Sequence, residues 1–295
     1  MKNTESMKKS IRKNLSTIIL VIIFAAGLVI FFYPSFSNYF NSRHQSRAIV
    51  AYDAALSKLS ETDYTSYWKA AKKYNEELAK KNMNFNLSDT EMAEYKKLLD
   101  PTGTGIMGHL EIESIGVDLP IYHGVTDSVL QAGVGHLPGT SLPTGGADTH
   151  TVLSGHRGLP SSKLLTDLDQ MVVGDTFLVH VMDKTFCYQV DQINIVLPDE
   201  TQDLAISPGG DYCTLVTCTP YGVNTHRLLV RGKRVDYKEE SRLIVPADAT
   251  RYSSLLVAPF IAVPVLVIMF VISVTGIPAD IRHGRAKILN KRKQK

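Results

Sequence analysis

The stretch Thr214-Leu215-Val216-Thr217-Cys218-Thr219-Pro220 is followed, nine residues after its cysteine, by Arg227 in Thr225-His226-Arg227-Leu228-Leu229-Val230-Arg231-Gly232. A β-branched run that ends on a cysteine, turns at a proline and restarts as an apolar run predicts a hairpin with a thiol at its mouth. Working outward, residues 108–112, 117–122, 151–154, 176–182 and 186–197 join 212–218 and 227–235 as short candidate strands separated by turn residues. Many short strands at close spacing predict a mainly β fold, barrel or sandwich, with residues 161–168 as one short helix.

Ahead of the strands the period changes. From Arg43 to about Leu99 the spacing is helical, with Ile49, Tyr52, Leu56 and Leu59 on one stripe and Trp68, Ala71 and Leu78 on another. Lys72, Lys73, Glu76, Glu77, Lys80 and Lys81 supply a solvated face. Two or three amphipathic helices packed on the β region account for this pattern, with Trp68 as packing rather than a ligand platform. Asp100-Pro101-Thr102-Gly103-Thr104-Gly105 then ends helix formation, because a proline and two glycines disfavour it, and a boundary is expected there.

Both ends of the chain carry membrane signals. Residues 15–33 are nineteen uncharged residues, enough to cross a hydrocarbon core, and residues 255–277 are a second uncharged stretch containing Pro259 and Pro264. The formal net charge of +3 hides an asymmetry: residues 1–14 hold five basic side chains against one acidic, and residues 277–295 hold seven against one. The middle of the chain is therefore net negative. A nucleic-acid-binding protein would keep basic residues on its folded domain, so a membrane is the expected partner. Basic flanks place both termini in the cytoplasm and residues 34–253 outside. A cleaved signal peptide, with Ser35-Phe36-Ser37 as its site, is the competing reading of the first segment; the length of the apolar run favours an uncleaved anchor. The expected organisation is a basic tail (1–14), a transmembrane helix (15–33), a helical region (34–105), a β domain (106–238), a linker (239–253), a second transmembrane helix (254–277) and a basic tail (278–295).

Three cysteines, Cys187, Cys213 and Cys218, are too few for a disulfide framework, and at least one is unpaired within the chain. Cys213 and Cys218, five apart on one strand, point to opposite faces; a Cys187–Cys213 bridge stays open, although both read more simply as buried small hydrophobes. An unpaired thiol outside the cell is a liability unless used, so Cys218 is the candidate nucleophile. Arg227, expected beside it on the paired strand, offers a permanent charge and several donors suited to an oxyanion. His156, in the glycine-flanked turn Ser154-Gly155-His156-Arg157-Gly158, is the candidate acid/base. His226 should point to the opposite face from Arg227, and His136 and His150, in glycine-rich loops, read as solvated. No histidine pair shows a metal-ligand spacing, so neither metal nor cofactor is expected.

These residues resemble the sortase family, and in combination its pilus-assembling class C branch, over roughly residues 45–236. The resemblance rests on a Gly-His turn, a cysteine closing a Thr-Leu-x-Thr-Cys strand and an arginine on the next strand, which map onto His156, Cys218 and Arg227. It implies a closed sortase-type β-barrel with short helices, preceded by a helical region and lid and flanked by two membrane segments. It also implies a cysteine transpeptidase that cleaves Leu-Pro-x-Thr-Gly sorting signals between Thr and Gly, passing the acyl group to a pilin lysine. Class C members resemble one another in a lid built on Asp-Pro-aromatic whose acid meets the active-site arginine. Here Asp100-Pro101 is followed by Thr102, so only the ionic half, Asp100 with Arg227, is expected. A housekeeping sortase that attaches proteins to the cell wall is the alternative within enzymes, and a non-catalytic assembly scaffold the alternative outside them. Leu142-Pro143-Thr144-Gly145-Gly146 mimics a sorting signal but lacks the intervening residue, and reads as a loop.

Overall fold

The structure is a computed structural model that describes residues 2–81 and 85–236, with Pro264 and Leu266. Apart from those two, the expected linker at 239–253 and the second apolar segment lie outside the described residues. The chain divides into two units, residues 36–243 and residues 1–35 with 244–295.

The first helix, α1 (Lys2–Leu56), is followed by α2 (Glu61–Ala79) and α3 (Asp89–Tyr95). Among the described residues one helical stretch, Ile22–Leu56, is long and apolar enough to cross a membrane by length and composition. α2 and α3 each begin with a capping box, Ser60 with Asp63 and Ser88 with Glu91, in which side chain and backbone satisfy each other's first-turn donors.

Eight strands then close a barrel: β1 (Ile106–Ile112), β2 (Val117–His123), β3 (Val134–His136), β4 (Thr149–Ser154), β5 (Thr176–Val181), β6 (Lys184–Val196), β7 (Asp211–Thr219) and β8 (His226–Val235). Their order around the barrel is β1-β2-β3-β4-β7-β8-β6-β5, and the β1–β5 pairing closes the ring, leaving no free edge. At that seam Gly108 is required, because a Cβ there would lie 2.1 Å from the His180 carbonyl oxygen.

All seven expected strands are present to within two residues at each end. The three-residue β3 and the helix α4 (Asp127–Ala132) before it are additional. Residues 161–168 are turns rather than a helix, with a bridge between Leu159 and Ser162 and a 3₁₀ turn only at Leu168–Gln170. Three backbone bonds in this stretch span only three residues, from Thr166 to Lys163, Leu168 to Leu165 and Gln170 to Asp167. The bridge and these short bonds make a chain of tight turns that cannot propagate as an α-helix.

The stripe of α1 buries Ile49, Tyr52 and Leu56, and the Tyr52 hydroxyl donates to Met107 O (2.9 Å) while accepting from Met182 N (2.9 Å). α2 buries Trp68, which packs edge-on to Phe186 and donates to Asp183 Oδ1 at 2.6 Å. Buried Asn75 of α2 bonds both the amide and the carbonyl of Leu142 and the Thr144 hydroxyl. The stretch from Leu142 to Gly146 is thus a loop clamped from beneath, with Leu142 fully buried.

His136 and His150 are buried strand residues, not the solvated loop residues their glycine-rich surroundings suggest. His136 Nε2 faces the Ser141 carbonyl (2.9 Å) and must carry its proton; Nδ1 accepts from Tyr95 of α3 (2.8 Å). That neutral tautomer is satisfied on both sides, and burial depresses the ring to a pKa of about 4. Because the folded value lies below the unfolded one near ~6.5, the contribution is complete above that pH and is lost as pH falls toward 4. His150 and His180, also lowered by burial, act in the same direction. We expect thermal stability to fall between pH 7 and pH 4, His136 alone accounting for about 3 kcal/mol. A melting temperature unchanged from pH 7 to pH 5 would show that the ring protonates in place.

Candidate active site

Side chains alternate between the two faces of a strand. On β7, Cys213 and Leu215 lie in the barrel core, whereas Val216 belongs to an outer cluster with Val152 of β4, Leu229 of β8, Leu204, Leu137 and Val196. Cys218 shares the face of Val216 and is half-buried, while Cys187 and Cys213 are buried; all three thiols are free. The bridge left open between Cys187 and Cys213 is therefore not formed. Burial raises both of their pKa values, Cys213 well above the ordinary thiol range, so neither is a source of thiolate.

β7 and β8 are antiparallel, and Cys218 stands directly opposite Arg227. Arg227, two residues from Leu229, is on the same outer face. The connection folds back through bonds from the Val223 and Asn224 amides to Pro220 O, and the guanidinium donates to His226 O (3.1 Å) and Asn224 O (3.3 Å). β4 lies on the other side of β7, parallel, with Ser154 opposite Val216. The ladder continues one step through Gly155 N to Val216 O (3.0 Å), and the Thr217 hydroxyl donates to Gly155 O (2.8 Å). His156 therefore leaves the barrel level with Cys218. Gly155 admits this exit because a Cβ would meet Leu165 at 2.7 Å. The three residues singled out in the sequence thus come to one rim, from three adjacent strands.

Two acidic or basic neighbours had no signal in the spacing. Asp127, in the first turn of α4, has Oδ1 3.5 Å from His156 Nε2 and is 78% exposed. Arg157 follows His156 and is engaged beneath the rim. The imidazole of His226, opposite Thr219 at the start of β8, lies within hydrogen-bond distance of the neighbouring Thr225 hydroxyl and is not drawn into the cluster.

The expected pairing of Asp100 with Arg227 is not made. Asp100 Oδ2 accepts from Gly105 N (3.0 Å) and Oδ1 from the Thr102 hydroxyl (3.2 Å), so the carboxylate closes its own turn with Pro101 inside it. Following the pairings β1 antiparallel to β2, β2 parallel to β3, β3 antiparallel to β4 and β4 parallel to β7, β7 runs in the sense of β1. β2, β3 and β4 nonetheless stand between β1 and β7 in the barrel order, and both oxygens of Asp100 are used within its own turn. Among the described residues no group of three or more His, Cys, Asp or Glu side chains is arranged to hold a metal ion.

A sortase-domain family model matches residues 110–235. Sortase C1 from Streptococcus agalactiae is 49% identical over 65% of this chain and all of that structure, with a TM-score of 0.64. The chain belongs to the sortase family. Sortase C from Streptococcus pneumoniae, studied for catalysis and pilin substrate specificity, is 40% identical over 65% of the chain and 97% of that structure, with a TM-score of 0.57. Among curated relatives, sortase A from Streptococcus agalactiae is 26% identical over 51% of this chain, which spans 62% of that relative's length. Sortases are cysteine transpeptidases, and the barrel fold described above is theirs.

In this sortase the difference between one half-buried thiol and two buried ones is directly measurable. A small thiol reagent should modify one cysteine per folded chain, and Cys218→Ala should remove that labelling. Modification of Cys187 or Cys213 without unfolding would contradict the burial assigned to them.

Proposed function

We propose that the protein is a membrane-anchored, pilus-assembling sortase that cleaves Leu-Pro-x-Thr-Gly signals between Thr and Gly and joins the acyl group to a pilin lysine. The observation that carries this reading is the register pairing of Cys218 with Arg227, with His156 leaving the neighbouring strand at the same level. Val216, half-buried on the outer face two residues before Cys218, supports it as an apolar contact for an extended peptide that leads to the thiol. The similarity to class C structures, at higher identity than to sortase A, supports the pilin rather than the wall as acceptor.

In the first half-reaction the Cys218 thiolate attacks the threonine carbonyl, and Arg227 donates hydrogen bonds to the oxyanion. Collapse breaks the Thr–Gly amide, His156 gives its proton to the departing glycine amine, and a thioester remains. In the second, a lysine amine attacks that thioester and gives a proton to His156. The C–S bond breaks, Cys218 leaves as thiolate, and an isopeptide bond has formed. The apolar helix supports anchoring by α1, and the two basic tails support a two-pass topology with the barrel outside and both termini in the cytoplasm.

With purified protein and a sorting-signal peptide, Cys218→Ala and His156→Ala should abolish cleavage, and Arg227→Ala should lower kcat by about 100–1000-fold. In cells lacking other sortases, Cys218→Ala should remove covalent pilin ladders. Ladders that persist would overturn the function; ladders absent from the wild type, with wall-anchored monomers in their place, would favour the housekeeping alternative.

A further inference from the structure

Arg157 is the residue of this rim that the reaction leaves unexplained. Its side chain is only 8% exposed, an environment arginines rarely occupy unless paired. Nη2 pairs with the Asp169 carboxylate, Nη1 donates to the Thr219 hydroxyl at 3.4 Å, and the guanidinium carbon lies 5.9 Å from the centre of the Tyr221 ring. Nε is buried with no hydrogen-bond partner. A buried charge with an orphaned donor is a poor way to gain stability, since desolvation offsets much of what the pair returns.

What the arrangement does provide is connection. Arg157 follows His156 in sequence, Thr219 follows Cys218, and Tyr221 opens the turn that returns the chain to Arg227. One planar side chain therefore ties the residue after Cys218 and the start of the β7–β8 turn to the turn that carries His156, and Asp169, from the turn at Leu168–Gln170, fixes its orientation.

We propose that Arg157, held by Asp169, is a positioning residue that locks the end of β7 and the β7–β8 turn against the His156 turn, setting the alignment of Cys218 with His156. It touches no substrate atom. The inference rests on the proposed roles of Cys218 and His156. Its consequence is kinetic rather than structural: Asp169 is 46% exposed, so its carboxylate is rehydrated when the arginine is removed, and Arg157→Met should fold normally.

The test uses the full chain and needs no substrate in its first arm. The pH profile of iodoacetamide alkylation at Cys218 is measured for wild type, His156→Gln, Arg157→Met and Asp169→Asn, with silence of Cys187 and Cys213 reporting that each variant is folded. If Arg157 aligns the thiol with the imidazole, both Arg157→Met and Asp169→Asn move the profile in the direction of His156→Gln, by about half a unit or more. A mere charge effect moves them in opposite directions, because one removes a positive and the other a negative charge. Opposite shifts, or two wild-type profiles, overturn the proposal, as does labelling of Cys187 or Cys213, which would mark Arg157 as structural. In the second arm, with sorting-signal peptide, kcat should fall by about 10–100-fold with KM changed less than about threefold, and Arg157→Lys should recover only part of it. Wild-type protein that alkylates as described but turns over no peptide counts against the proposed function and leaves the first arm to decide the role of Arg157.

Discussion

The two-residue period of a β-strand decides which cysteine of this chain can react. On β7 the odd-numbered positions from Cys213 through Leu215 face the core, and the even ones through Val216 to Cys218 face outward. A shift of one residue in that strand would bury the thiol of Cys218 and expose that of Cys213. Register is therefore the quantity the fold must protect. Closure of eight strands protects it, because no strand can slip without breaking the ladder on both of its sides. The same period places Arg227 outward with Leu229, and sends His156 outward past Ser154.

Much of this was legible before any coordinates, because the β7–β8 hairpin has a local signature: β-branched residues, a terminal proline turn and a matching apolar run. The long helices were legible for a similar reason, the stripe of Ile49, Tyr52 and Leu56 being long enough to define a period. What escaped lacked such length. β3 is three residues, too short for alternation to register, and α4 is a helix of six. His136 and His150 were misread because composition within a few residues suggested loops, whereas their burial is set by Tyr95, Ser141, Ala205 and Thr214, mostly far away in sequence.

The misplacement of Asp100 has a different origin. A short Asp-Pro pair carries no information about which side chain its carboxylate will meet. β2, β3 and β4 separate β1 from β7 around the barrel, and Asp100 spends both oxygens on its own turn. Asp100 instead accepts from its own turn, an arrangement typical of aspartate beside glycine. The signal for Arg157 and Asp127 was weaker still. Nothing in a sequence distinguishes an arginine that follows a histidine from any surface arginine until burial is known.

Two parts of the barrel are built on opposite terms. Under the helices, Tyr52, Asn75, Tyr95 and His136 are buried polar groups whose hydrogen bonds are made, and they fasten three helices to the strands. At the end where β7 stops, Tyr221 is 60% exposed, Val223, Ile195 and Leu197 are exposed with it, and the buried Nε of Arg157 has no partner. The first part of the barrel-packed helix reaches the segment that follows β4. Asn38, Asn41 and Gln45 of α1 bond Lys163, Ser161 and Ser162, holding the segment that follows His156. Groups that would be costly to leave uncovered in a finished core are tolerated where a peptide must enter, react and leave. The hydrogen-bonded contacts under the helices supply the rigidity that lets them be held there.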